Sequence, residues 1–211
     1  MFHGSVIAYI AAAVIAYLLG SISGAIVSSR VGHHEDIRNY GSGNAGMTNA
    51  LRTYGIRHAA IVAAMDMLKT VIAILIAKWL VGWYWGFVIG SLFAITGHLF
   101  PVYYGFKGGK GVLCGLASLL MVDWRIGVLV VAVFAICVAL CKRVSVGSIF
   151  ACASAPLWCL LLGVPGLHTV YVTLAASWLI WSPAIWALIW TRSRICWTRW
   201  TWPSGSRRSM P

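Results

Sequence analysis

Apolar residues fall in long unbroken blocks along this chain, neither alternating as in a half-buried strand nor forming one-sided helical stripes. The blocks lie near 5–27, 59–80, 85–101, 111–122, 126–141, 146–163 and 168–190, separated by short polar segments. A helix needs about 20 apolar residues to cross a bilayer, and fewer where protein surrounds it. The pattern predicts an all-α fold: a polytopic transmembrane helical bundle of about seven spans, the fourth a short half-span packed among its neighbours. No internal repeat or low-complexity linker divides the blocks, so one membrane-embedded domain is expected over 1–190.

Composition agrees with the pattern. Hydrophobic residues make up 61% of the 211 positions and charged residues 9%, against about 25% charged in soluble domains. A soluble or disordered chain is excluded. The net charge of +12 is distributed unevenly. Seven spans place Arg30, Arg38, Arg52, Arg57, Lys107, Lys110, Lys142, Arg143, Arg192, Arg194, Arg199, Arg207 and Arg208 on one side and only Arg125 on the other. Loops rich in Lys and Arg stay in the cytoplasm, so the N-terminus is expected outside and the basic loops in the cytoplasm. Trp79, Trp83, Trp85 and Trp124 mark the outer interface.

The six cysteines form no C-x-x-C pair and five lie in apolar runs, so they are expected as core residues rather than zinc ligands or disulfides. The first block lacks a basic leader and a small-residue cleavage site, and is expected to be retained as a span.

Two polar segments carry the candidate chemistry. The first runs Asp36-Ile-Arg-Asn-Tyr-Gly-Ser-Gly-Asn-Ala-Gly-Met-Thr-Asn-Ala-Leu-Arg52. Its glycines let backbone approach a ligand. Ser42, Asn44, Thr48 and Asn49 offer neutral hydrogen bonds, and Arg52 a planar fork suited to phosphate. The plainer reading is a flexible loop. Gly41, Gly43 and Gly46 also spell G-x-G-x-x-G, but no strand precedes it and Asp66, twenty residues on, lies in an apolar run, so a dinucleotide site is rejected. The second segment, Phe106-Lys-Gly-Gly-Lys-Gly-Val112, directly precedes a helix. Lys107, Gly108, Gly109, Lys110 and Gly111 there bring ammonium groups, backbone donors and a positive helix end together for an anion. The plainer reading is a basic turn touching anionic lipid. Without Ser or Thr after Lys110 it is not a Walker sequence.

Asp66 and Lys69 share one helix face and are expected to neutralise each other. His98 is expected as a structural hydrogen-bonder. Ser145 and Ser148 either cap a helix or add hydroxyls to a phosphate pocket. No H-x-x-x-x-D, no G-x-S-x-G and no carboxylate dyad is present, so standard acid–base chemistry is not expected.

In order and spacing, Leu19-Gly-Ser-Ile22, Asp36-Ile-Arg38, Gly41-Ser-Gly-Asn-Ala-Gly-Met-Thr-Asn49 with Arg52, Asp66-Met-Leu-Lys69, Gly97-His-Leu-Phe-Pro-Val102, Phe106–Val112 and Ser145-Val-Gly-Ser148 resemble the bacterial integral-membrane PlsY family. These are glycerol-3-phosphate acyltransferases that use acyl-phosphate. The resemblance covers about residues 9–181. It implies acyl transfer from acyl-phosphate to the 1-hydroxyl of sn-glycerol 3-phosphate, giving lysophosphatidic acid for phospholipid synthesis. It also implies a cytoplasmic-facing site without metal or other cofactor, membrane lipids as partners and no nucleic acid. Ser42, Arg52 and Lys110 take the catalytic roles. Gly41, Gly43, Asn44, Thr48, Asn49, Lys107, Gly108, Gly109, Gly111 and Ser148 bind substrate.

The sequence departs from the family at three places. Ser23 stands where Pro is common, and Leu113-Cys114 replaces Ala-Thr. The family's Arg-His-Arg-Glu-Asn run should fall on Ser182-Pro-Ala-Ile-Trp186, which has neither the His nor the Asn. The Trp/Arg-rich segment 191–211 that follows is expected to be disordered or the product of a shifted reading frame. The competing expectations are a transporter of a small phosphorylated anion and an inactive remnant of the enzyme.

Overall fold

The computed structural model describes residues 5–181. Every regular element among them is helical: α1 (Val6–Gly20), α2 (Gly24–His33), α3 (Met47–Tyr54), α4 (Ile56–Val81), α5 (Trp83–Leu99), α6 (Val112–Val122), α7 (Trp124–Cys141), α8 (Val144–Leu161) and α9 (Gly166–Trp181). Five stretches are long and apolar enough to cross a bilayer: Val6–His33, Ile56–Val81, Trp83–Tyr104, Trp124–Cys141 and Val144–Leu161. Two shorter apolar helices cover Val112–Val122 and Tyr171–Ile180. The short fourth element is thus present as expected.

Three boundaries differ from the sequence reading. The block at 5–27 is two helices, broken at Ser21–Ser23. The polar segment after it is not a loop throughout, because α3 occupies Met47–Tyr54. The last block begins at Gly166, and its part beyond 181, with the family's third run and the 191–211 tail, lies outside the described residues.

Small residues set the packing. Ala8, Ala12, Ala16 and Gly20 form a buried stripe along α1, which lets backbones approach as in small-xxx-small interfaces. A β-carbon at Gly97 of α5 would run into the Tyr17 carbonyl oxygen and lie 2.8 Å from the Ser21 nitrogen. Gly97→Val is therefore expected to abolish folded protein in detergent, since no flexible side chain can yield there; size-exclusion chromatography of the solubilised variant checks it.

The helix break has a specific cause. At Ser21–Ser23 the backbone leaves the helix, and its polar groups need partners inside the apolar layer. The Ser23 hydroxyl caps α2, accepting from the Ile26 N–H at 3.4 Å. The Ile22 carbonyl accepts from Lys69 Nζ at 2.6 Å, and the Gly24 N–H donates to Asp66 Oδ1 at 3.2 Å. Asp66 and Lys69 pair at 2.9 Å, 1% and 7% exposed, so the expected neutralisation is present. The pair also joins α4 to the break in α1–α2.

The turns Gly82, Asp123 and 162–165 lie at one end of the antiparallel bundle, with exposed Trp79, Trp83, Trp85 and Trp124. Segments 34–55, 100–111 and 142–143 lie at the other, and there the polar motifs meet.

Candidate active site

The first polar segment is ordered by one buried side chain. Asn49, 1% exposed, accepts the Ser42 N–H on Oδ1 at 2.8 Å and donates Nδ2 to the Ile37 and Tyr40 carbonyls at 3.2 and 3.0 Å. Gly41 has φ +59°, and a β-carbon there would also collide with Asn49 Oδ1, so two requirements select glycine. The plainer expectation of a flexible loop does not describe this arrangement.

Arg38 ties that segment to the next. Its guanidinium grips Asp36 through Nε at 3.0 Å and Nη2 at 2.8 Å, while Nη1 donates to the Tyr104 and Lys107 carbonyls at 2.8 and 3.3 Å. The Arg38 hydrogen bonds hold the Asp36 carboxyl well below the usual carboxylate range. A carboxyl whose pKa falls on folding adds stability above its ordinary value of about 3.9, and that stability disappears as pH drops through the lowered value. The stability difference between the native chain and Asp36→Asn is therefore expected to persist at neutral pH and fade only in strong acid, which thermal melts across pH would show. Arg38→Ala is expected to raise KM for the substrates several-fold, and Arg38→Lys to recover only part because lysine lacks the fork.

The glycine turn is wedged between α5 and the first segment. Gly108 and Gly109 N–H groups donate to the Leu99 and His98 carbonyls at 3.2 and 3.1 Å. A β-carbon at Gly109 would run into His98 Nε2 and lie 2.6 Å from the Ala45 carbonyl oxygen. Gly111, at φ +75°, opens α6. Lys110 Nζ donates to Ser145 Oγ at 3.1 Å, joining the turn to the start of α8.

These segments surround a cavity of about 630 Å³. Its polar end is lined by Ser42, Asn44, Thr48, Asn49, Arg52, Lys110, Gly111 and Ser148, together with Arg143, Ser145, Asp66 and His98. Gly41, Gly43, Lys107, Gly108 and Gly109 do not line it. The glycines shape the turns behind the wall, and the Lys107 side chain is exposed beside it. Ser148 donates its hydroxyl to the Val144 carbonyl at 2.9 Å, leaving its lone pairs. The remaining wall is apolar and includes Leu119, Val130, Phe134, Ala155, Tyr171 and Val172. From Ser145 to Ala155, α8 descends about 15 Å.

One cationic, nearly carboxylate-free mouth therefore opens onto one apolar shaft. That arrangement suits a phosphate attached to, or reacting with, a hydrocarbon chain. Among the described residues no group of three metal-ligating side chains occurs.

The profile of the glycerol-3-phosphate acyltransferase family matches residues 10–194. The chain belongs to the glycerol-3-phosphate acyltransferase family. A glycerol-3-phosphate acyltransferase of Thermoanaerobacter sp. (strain X514) is 44% identical over 137 residues, 65% of this chain and 69% of its own. One from Coxiella burnetii (strain Dugway 5J108-111) is 40% identical over 156 residues, 74% of this chain and 81% of its own. The crystal structure of PlsY (YgiH), an integral membrane glycerol 3-phosphate acyltransferase, in its glycerol 3-phosphate form matches with a TM-score of 0.73 and 33% identity over 82% of this chain and 87% of that one. Its lysophosphatidic acid form matches at 0.72 with 30% identity. The resemblance read from the sequence is to this family.

Sequence reasoning missed three features of this candidate site. Arg38 acts through backbone carbonyls 66 and 69 residues away, which no local pattern encodes. His98 joins the wall from α5. Arg143 lines the mouth, and its only signal was the Lys142-Arg143 pair just ahead of Ser145.

Proposed function

We propose that this acyltransferase moves a fatty acyl group from acyl-phosphate to the 1-hydroxyl of glycerol 3-phosphate, releasing lysophosphatidic acid and inorganic phosphate. The observation that carries this reading is the single cavity joining Ser42, Arg52 and Lys110 to an apolar shaft. The acyl chain lies in the shaft and its phosphate meets the Ser42–Asn49 backbone. Glycerol 3-phosphate docks its phosphate against Lys110, the Gly111 backbone at the start of α6 and Arg52. Arg143 adds a further cation at the mouth, and Asn49 serves by fixing the Ser42 backbone.

The donor is already an activated mixed anhydride, so positioning and charge stabilisation supply the rate. The hydroxyl oxygen attacks the acyl carbon, the acyl carbon–oxygen bond to phosphate breaks, and the hydroxyl proton passes to an oxygen of the departing phosphate. Ser42 orients the donor and forms no acyl intermediate. Among the described residues, Arg30, Arg38, Arg52, Arg57, Lys107, Lys110, Lys142 and Arg143 fall on the side of this mouth and Arg125 on the other, which supports a cytoplasmic-facing site in a bacterial inner membrane.

The test is transfer by the purified full chain in detergent. Acyl-phosphate and labelled glycerol 3-phosphate are expected to give lysophosphatidic acid and phosphate in equal amounts, and an acyl thioester is expected not to replace the donor. Flux of glycerol 3-phosphate into vesicles without acyl product would instead mark a transporter. Folded protein with neither activity would mark an inactive remnant.

A further inference from the structure

The buried cluster behind the glycine turn fixes the proton of one imidazole. Lys69 Nζ has three N–H groups and three polar atoms around it, the Ile22 carbonyl at 2.6 Å, Asp66 Oδ1 at 2.9 Å and His98 Nδ1 at 2.9 Å, and His98 Nδ1 itself lies farther from Asp66 Oδ1, at 3.5 Å. The contact with the Asp66 carboxylate is a salt bridge, so Nζ faces Nδ1 from an ammonium group. An ammonium can only donate. His98 Nδ1 is therefore an acceptor, and a neutral imidazole that accepts on Nδ1 carries its proton on Nε2.

The position of Nε2 gives that proton a role. The ring is 5% exposed overall, yet His98 belongs to the cavity wall. Nε2 lies so close to Gly109 that a β-carbon there would strike it. Nε2 thus lies beside the backbone of the Gly108–Lys110 turn, and His98, Lys110 and Ser148 all line the one cavity. The backbone around it is held as well, since the Gly109 N–H donates to the His98 carbonyl. One ammonium N–H faces the imidazole while the others hold Asp66 and the Ile22 carbonyl, so Lys69 is itself seated on the break between α1 and α2.

We infer that His98 is a further substrate-binding residue, its Nε2–H donating to a phosphate oxygen of the substrate held at the glycine turn, with Asp66 and Lys69 as positioning residues that hold the imidazole in the donating tautomer. This deepens the acyltransferase reading and rests on it. The ligand chemistry is a phosphate dianion, supplied either by glycerol 3-phosphate or by acyl-phosphate.

His98→Asn tests it with the network kept, because an asparagine oxygen falls where Nδ1 accepts from Lys69 while nothing reaches the Nε2 position. KM for one phosphate substrate is expected to rise roughly ten- to a hundredfold, the scale of one hydrogen bond to a charged group, with the melting temperature little changed. A rise for glycerol 3-phosphate alone places the contact on the acceptor; a rise for acyl-phosphate alone places it on the donor. His98→Gln, whose amide reaches the Nε2 position, is expected to recover most of the loss. Unchanged KM for both substrates in folded His98→Asn would overturn the inference.

A second measurement covers the case in which that variant fails to fold. In ¹⁵N-histidine-labelled native chain, NMR is expected to show His98 protonated on Nε2 and unprotonated on Nδ1, with Nε2 shifting on titration with glycerol 3-phosphate or inorganic phosphate. A proton on Nδ1, or no shift with either ligand, would overturn it. A native chain that binds phosphate through Nε2 but makes no lysophosphatidic acid would contradict the acyltransferase reading instead.

Discussion

Lys110→Ala is expected to lower kcat/KM for glycerol 3-phosphate roughly ten- to a hundredfold, because one charge-assisted phosphate contact is worth about 1.5–3 kcal/mol. Lys110 stands at the junction of two segments, on the turn ahead of α6 and bonded to Ser145 at the head of α8. Removing it withdraws the ammonium from the mouth and frees the Ser145 hydroxyl, while the Gly109 N–H to His98 carbonyl bond remains. The variant should therefore fold normally and lose affinity and turnover together. Arg52→Ala should lose a similar amount, since Arg52 lines the same mouth from α3. Steady-state kinetics on both variants checks the assignment. Near-normal kcat/KM in both would remove the two residues from the site.

The second large effect concerns folding. Asp66→Ala leaves Lys69 buried without its carboxylate, and breaking a buried ion pair from one side costs about 3–5 kcal/mol. It also strips the Gly24 N–H of its acceptor in the apolar layer. The sum is comparable to the whole stability of an ordinary domain, about 5–15 kcal/mol. Asp66→Ala is therefore expected to yield little folded protein. Replacing Asp66 and Lys69 together by leucine should fold better than Asp66→Ala, because no lone charge is then buried. Thermal unfolding followed by size-exclusion chromatography compares the two. Equal stability of Asp66→Ala and the native chain would show that the pair does not hold the helix break.

The fold was legible where hydropathy alone decides structure. Blocks such as 59–80 and 126–141 became α4 and α7 within a few residues, since a backbone in hydrocarbon has little choice but a helix. The break at Ser21–Ser23 was not legible. Serines are tolerated inside membrane helices, and the groups that satisfy this break, Asp66 and Lys69, sit more than forty residues away. The same holds for the site. The spacing of Asp66 and Lys69 predicted their pairing, but His98 joins them across 29 residues and from another helix. Ser42, Arg52 and Lys110 were readable from local glycine and cation patterns, whereas Ser148 was left between a helix cap and a pocket hydroxyl; all four line the cavity. Lys107 belongs to the same pattern, yet it is exposed and does not line the cavity.

Direct transfer requires both phosphates in one cavity at the same time, with the acyl group passing straight from one molecule to the other. Initial rates measured with acyl-phosphate and glycerol 3-phosphate both varied test it most directly. Direct transfer predicts intersecting double-reciprocal lines and no acylated protein when the donor is supplied alone. Parallel lines, with an acyl group accumulating on Ser42 in the absence of glycerol 3-phosphate, would contradict it.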